Sequence, residues 1–211
     1  NIESRYWFNP PVSSRYFLLP GSIAVVMTLI GTLLTALVVA REWERGTMEA
    51  LMATPASMVE IIVGKLIPYF VLGMGSMLLC FVIAYYWYQI PFNGSFIILI
   101  ALGATYLFPS LSIGLLISTL AKNQFVAAQA SIIAGFLPSF LLSGFLFEIA
   151  NMPKGLQIAT HMVPARYFVE SLQTIFLAGD IYTIFIADGI WMILIGSLFF
   201  ALIIKKSKKR L

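Results

Sequence analysis

Five long apolar runs divide the chain, and its polar residues gather between them. The runs cover about 18–40, 61–88, 96–121, 125–147 and 182–204. A helix of about 20 residues crosses ~30 Å of hydrocarbon, so each run is long enough to span a bilayer. No charged residue falls near the middle of any run. The pattern predicts an all-α integral membrane protein with five transmembrane helices, the transmembrane domain covering 18–204. Residues 1–17 precede it and mix Arg5, Tyr6, Trp7, Phe8, Pro10, Pro11 and Tyr16, a composition that suits the headgroup level. Residues 205–211 form a basic tail.

Small residues recur at every fourth position inside the runs. The sets are Thr28, Thr32, Ala36 and Ala40; Ser110, Gly114 and Ser118; and Ala127, Ser131, Gly135, Ser139 and Ser143. Steps of four place each set on one helix face. Such faces let backbones approach closely in a bilayer, so helix packing is the first reading. A polar path along the serines of the fourth run is the alternative.

Composition agrees with the pattern. The 211 residues are 60% hydrophobic and 10% charged, against about a quarter charged in soluble domains. The net charge of +4 comes largely from the tail, which fits a membrane surface and gives no case for nucleic acid. Cys80 is the single cysteine, so no disulfide forms within the chain. The loop before the second run carries Arg41 and Arg45, with Lys65 just beyond; the loop near 122 carries Lys122; the tail carries Lys205, Lys206, Lys208, Lys209 and Arg210. Residues 89–95 carry no charge. By the positive-inside rule the three basic regions are cytoplasmic, which puts Asn1 outside and the C-terminus inside. Tyr85, Tyr86, Trp87 and Tyr88 then fall at the outer surface, where an aromatic belt belongs. An outside N-terminus without a signal peptide pattern predicts an earlier spanning helix upstream of Asn1.

The loop between the first two runs is dense in charge. Arg41-Glu42-Trp43-Glu44-Arg45-Gly46-Thr47-Met48-Glu49-Ala50-Leu51 is followed by Thr54-Pro55, which stops a helix because a residue before proline avoids the α region. On a helical wheel Arg41, Glu42, Arg45 and Glu49 share one arc. Ser57 and Glu60 match a capping box for the next helix. A solvated turn obeying membrane charge rules is one reading, and a docking surface for a soluble partner is the other. Acids contribute little to orientation, so Glu42, Glu44 and Glu49 ask for a further explanation.

The segment 148–181 is long for a loop. Pro153 and Pro164 each suit a first helical turn, and the stretch from Pro164 runs helically to about Leu177. It is too short to span, so it lies in the interface or dips into it. Arg166 and Glu170 are spaced i,i+4 for pairing. A plain amphipathic cap on the bundle is the simpler reading. The chain lacks a phosphate-binding G-x-x-x-x-G-K-[ST], an H-E-x-x-H and a G-x-S-x-G. His161 is its one histidine and reads as an interface residue, with no metal site. Asp188, about two turns inside the last run, reads as a carboxylate reaching the outer headgroups, with proton relay as the alternative.

The charged loop with Thr54-Pro55 resembles the first cytoplasmic loop of ABC-2 type export permeases. Pro164-Ala165-Arg166-Tyr167-Phe168 with Ile175-Phe176-Leu177-Ala178-Gly179 resembles their outer re-entrant segment, and the aromatic approach of residues 1–17, ending in Phe17-Leu18-Leu19-Pro20-Gly21, resembles the end of the large extracytoplasmic domain in the bacterial drug-export branch. The resemblance implies helices two to six of a six-helix permease in a bacterial inner membrane. It implies an exporter of drug-like or amphiphilic substrates, with a second permease copy or paralogue, a cytoplasmic ABC ATPase and, in the drug-export branch, a periplasmic adaptor as partners. ATP and Mg would bind the ATPase, and no cofactor would bind this chain, which would not itself be an enzyme. A cytoplasmic coupling helix would fall on Arg41, Glu42, Glu44, Arg45, Gly46, Thr47, Glu49, Leu51, Thr54 and Pro55. The outer re-entrant helix would carry Pro164, Arg166, Tyr167 and Glu170. A stand-alone secondary transporter or channel is the rival, and it needs an ionisable group near mid-membrane. The charge map predicts that an impermeant thiol reagent labels Ser95→Cys from outside and leaves Ser207→Cys untouched; the reverse labelling would overturn the orientation.

Overall fold

The computed structural model describes residues 14–47, 50, 53–54 and 58–206. Every regular element among them is helical. The helices are α1 (Ser14–Glu44), α2 (Met58–Val82), α3 (Phe96–Ala121), α4 (Gln124–Ser131), α5 (Leu137–Leu142), α6 (Lys154–Thr160), α7 (Pro164–Leu177) and α8 (Tyr182–Lys206). A π-helical turn at Ile83–Trp87 extends α2, and another at Ile132–Phe136 joins α4 to α5. The second has a local cause: Pro138 donates no backbone hydrogen bond, so the ladder before it loosens. Five of the resulting helices, from Arg15–Glu44 to Tyr182–Lys206, are long and apolar enough to cross a membrane. The protein is an all-α, multi-pass membrane protein.

Two helix ends differ from the sequence pattern. The first helix begins at Ser14 and continues through the charged residues 41–44, because Arg and Glu are good helix formers and α1 ends only near a glycine. The fourth run leaves its helix at Leu142, and residues 143–147 bend away around Gly144 at φ +85°. A glycine in the left-handed region is the usual helix stop. Ser57 of the expected capping box lies outside the described residues.

α1 and α3 make the most extensive helix contact, and α3 packs next most against α8. α1 is 61% buried over its most apolar stretch, whereas α2 is 11% buried and lies at the margin. Between lipid-solvated helices there is no hydrophobic gain on contact, so association depends on close packing and hydrogen bonds. The small-residue faces supply both. Thr28, Thr32, Ala36 and Ala40 are buried, as are Ser110, Ser118, Ala127, Ser131 and Ser139. A Cβ on Gly114 would strike Thr35 Oγ1 and the backbone of Thr32, and one on Gly135 would press on the Thr32 side chain at 3.1 Å. The hydroxyls are satisfied mostly within their own helices: Thr28 bonds the Ala24 carbonyl, Thr32 the Thr28 carbonyl, Ser131 the Ala128 carbonyl and Ser139 the Gly135 carbonyl, at 2.7–2.8 Å. These groups are packed between helices, as the first reading expects.

At the end of the bundle away from the charged loop, α7 folds back into it, while α6 is largely exposed. Phe168 stacks on Tyr106 with centroids 4.2 Å apart, and the Tyr106 hydroxyl bonds Thr28. Tyr106 lies about 15 Å along α3 from Phe96, at 1.5 Å per residue. The first turns of α7 therefore sit deep in the bundle. Its last turn meets the 89–95 connection, where Asn93 Nδ2 donates to the Leu177 carbonyl at 2.8 Å and Ser95 N–H to Asp180 at 2.8 Å.

Gly114 is the position where α1 and α3 leave no room. Gly114→Val is expected to cost about 1–3 kcal/mol through overpacking, read as a lower melting temperature in detergent. Gly75→Ala, where a Cβ meets nothing within 4 Å, is expected to leave it unchanged.

Candidate functional site at the charged end

The charged end is built on the last turns of α1. Residues 41–44 are helical, and the ladder continues from Arg45 N–H to the Arg41 carbonyl at 3.1 Å. Gly46 N–H then bonds the Trp43 carbonyl at 3.2 Å, and Gly46 adopts φ +70°. That left-handed step ends the helix. The single arc drawn through Arg41, Glu42, Arg45 and Glu49 is thus corrected: Arg41 and Glu42 belong to α1, and Gly46 turns the chain before Thr47. Glu49, Leu51 and Pro55 lie outside the described residues.

Glu42 and Glu44 point to different neighbours. Glu42 Oε1 sits 2.9 Å from Lys65 Nζ of α2, both partly exposed. The Thr47 hydroxyl donates to the other carboxylate oxygen, which folds the turn back on α1. Glu44 Oε1 accepts from the Gln124 backbone N–H at 2.9 Å, and Oε2 from the Gln124 side-chain amide. Gln124 opens α4, whose own cap is Asn123, with Oδ1 accepting from Val126 N–H at 3.1 Å. The preceding Lys122 holds φ +53°, a left-handed conformation uncommon for a residue with a side chain. Its ammonium lies 4.6 Å over the Trp43 ring. Trp43 packs on the buried patch of Val38, Val39, Ile62, Leu115 and Ile203. One turn deeper, Ser118 Oγ accepts from both Val39 and Ala40 N–H at 2.9 Å.

The result is an elbow held from two sides. Arg41, Arg45, Gly46, Thr47 and Thr54 are exposed on it. A groove of about 270 Å³ runs beside it, between Val38, Arg41 and Glu42 of α1 and Gly64, Lys65, Pro68 and Tyr69 of α2. Lys65, Lys122, Asn123 and Gln124 were not singled out by the sequence as site residues. Asn123 followed by an apolar run is a readable cap signal; its meeting with Glu44 across 80 residues is not.

At the opposite end Pro164 is buried and opens α7. The Arg166–Glu170 pair expected from spacing is not formed. Arg166 donates to Thr160 Oγ1 at 2.5 Å and lies 5.8 Å from the Tyr167 ring, while Glu170 is exposed. Tyr167 stacks parallel to Trp191 at 6.0 Å and donates its hydroxyl to the His161 carbonyl at 3.2 Å. Asp188 corrects a second expectation. It is 5% exposed and accepts from Ser171 at 2.7 Å, so it joins α8 to α7 and does not reach the headgroups. A buried carboxylate needs such a partner because water is absent. Among the described residues no three His, Cys, Asp or Glu side chains converge to hold a metal ion.

The Glu42–Lys65 contact makes a testable joint. Glu42→Lys and Lys65→Glu alone should each lower the melting temperature, and the double swap should restore it. The coupling in a double-mutant cycle should stay under about 1 kcal/mol, as for a partly exposed pair.

Comparison with known proteins matches this geometry to a family. Residues 1–205 match the family described as ABC-2 family transporter protein. Over all 211 residues the chain is 46% identical to the probable multidrug ABC transporter permease YbhS of Escherichia coli K12, covering 56% of that protein. It is 33% identical over 173 residues, 82% of the chain, to the probable multidrug ABC transporter permease YbhR of the same strain, covering 47% of it. It is 27% identical over 216 aligned residues, 99% of the chain, to the inner membrane transport permease YhhJ of that strain, covering 56% of it. The chain spans about half the length of these curated relatives. No solved structure matches it. A chain matched almost end to end by the family, with five apolar helices and a charged elbow closing one end, belongs to the ABC-2 family of transporter membrane proteins.

Proposed function

We propose that this chain is the membrane permease portion of an ABC-2 exporter. It moves a drug-like or amphiphilic substrate out of the bacterial cytoplasm across the inner membrane, and a partner ATPase supplies the energy. The charged end faces the cytoplasm, the aromatic end faces outward, and the chain performs no bond chemistry. The observation that carries this reading is the braced elbow. Exposed Arg41 and Arg45 project from a turn that is tied to α2 through Glu42–Lys65 and to α4 through Glu44–Gln124. A docked ATPase that pushes on such an elbow moves helices, whereas a loose loop would absorb the push. The relatives named as multidrug permeases support the drug-like substrate class.

The deep placement of Phe168 against Tyr106 supports a re-entrant role for α7. A second permease copy or paralogue would complete the substrate path. The alternation is a two-state rearrangement of helices biased by nucleotide. A stand-alone secondary transporter or channel would draw on Asp188, the buried carboxylate of the last span. Its bond to Ser171 and its burial favour a structural role for it.

Combined Arg41→Glu and Arg45→Glu, and separately Glu49→Lys, test the docking surface. Truncating a buried interfacial charge pair costs about 2–5 kcal/mol, whereas an exposed loop charge costs under about 1 kcal/mol. The variants should insert normally and lose ATPase co-purification more than tenfold. Unchanged ATPase binding would reduce the elbow to a solvated turn and sink this assignment.

A further inference from the structure

We infer that Glu44 is a positioning residue: it tethers the charged elbow to the first turn of α4, so that movement of the elbow is handed to that helix. This rests on the exporter reading above and goes beyond docking. Both carboxylate oxygens of Glu44 are engaged by Gln124, one through its backbone N–H and one through its side-chain amide. The first backbone N–H groups of a helix have no partner within it. Here the last residue of α1 fills the place that a local side chain or water would take at Gln124, while Asn123 serves Val126.

Three further observations make this a mechanical joint. The turn between α3 and α4 is only Lys122 and Asn123, and Lys122 is fixed in a left-handed conformation with its ammonium over Trp43. There is no slack through which the start of α4 could lag behind. Next, α4 meets α1 through Ala127 against Ala36 and Ala40, all fully buried. Methyl groups form a smooth surface with no directional bond to hold α4 in one register. Finally, α4 leads into the π-helical turn Ile132–Phe136 and Pro138, where the helix bends most easily. A helix gripped at its first residue, smooth along its side and hinged eight residues on tilts when the grip moves. Glu42 reaches α2 as well, through Lys65 about two turns inside that helix. The elbow thus has separate handles on two helices.

A tether that works by accepting hydrogen bonds differs from a docking charge in what it tolerates. Glu44→Gln keeps an oxygen for the Gln124 N–H, so it preserves the tether while removing the charge. Glu44→Ala removes both. The experiment uses the membrane-assembled transporter with its ATPase, and hydrogen–deuterium exchange of residues 124–131 with and without ATP and vanadate. In the wild type and in Glu44→Gln, nucleotide should change exchange along α4. In Glu44→Ala, exchange of the first turn should rise severalfold even without nucleotide, and the nucleotide response of α4 should vanish. An unaltered nucleotide response in Glu44→Ala, or its absence in the wild type, overturns the tether. Loss of ATPase binding in both variants makes Glu44 a docking residue and also overturns it. If the wild type retains no ATPase, the exporter reading fails, and unchanged first-turn exchange in Glu44→Ala without nucleotide would still overturn the tether itself.

Discussion

The close approach of α1 and α3 is the constraint on which the other contacts depend. In lipid an apolar side chain gains nothing by leaving hydrocarbon for a neighbouring helix, so contact must come from fit and hydrogen bonding. Gly114 lets the Thr32 and Thr35 turn of α1 rest almost on the α3 backbone. Just beyond it, Ser118 accepts from two successive backbone N–H groups of α1. That pair of bonds lies at Val39 and Ala40, directly before the elbow. The direction in which residues 41–44 emerge is therefore fixed by α3, and Glu42 and Glu44 reach their neighbours because of it.

The acids of the elbow have a physical account that charge rules alone do not provide. They add little to membrane orientation, yet two of them are used inside the chain. Glu42 meets a lysine of α2, and Glu44 completes the start of α4. Such bonds are individually weak at an exposed site, but they are directional and they converge on one turn. Their value lies in geometry more than in stability. Among the described residues of the elbow, Arg41 and Arg45 are exposed beside these acids.

The opposite end is organised by aromatic stacking. Phe168 on Tyr106 and Tyr167 beside Trp191 seat α7 between α3 and α8, and the Ser171–Asp188 bond closes the same interface. Arg166 takes Thr160, and Glu170 is left exposed. Spacing of i,i+4 permits a pair; it does not compel one when the hairpin brings a nearer acceptor.

Period, length and apolarity were enough to determine five spanning helices, the small-residue faces and the charged loop as the place of interest. These features are local, and each follows from the cost of placing polar groups in hydrocarbon or from the 3.6-residue repeat. Gly46 as the end of α1 was open to the same kind of reading, although the wheel drawn across it assumed a continuous helix. What only the tertiary structure decided was pairing between distant segments: Glu44 with Gln124, Glu42 with Lys65, Lys122 with Trp43, and Asp188 with Ser171. A side chain's own neighbourhood in sequence offers each of these groups water or headgroups as partners. Folding replaces those partners with a particular residue from another helix, and the choice depends on how closely α1 and α3 pack, which no single segment encodes.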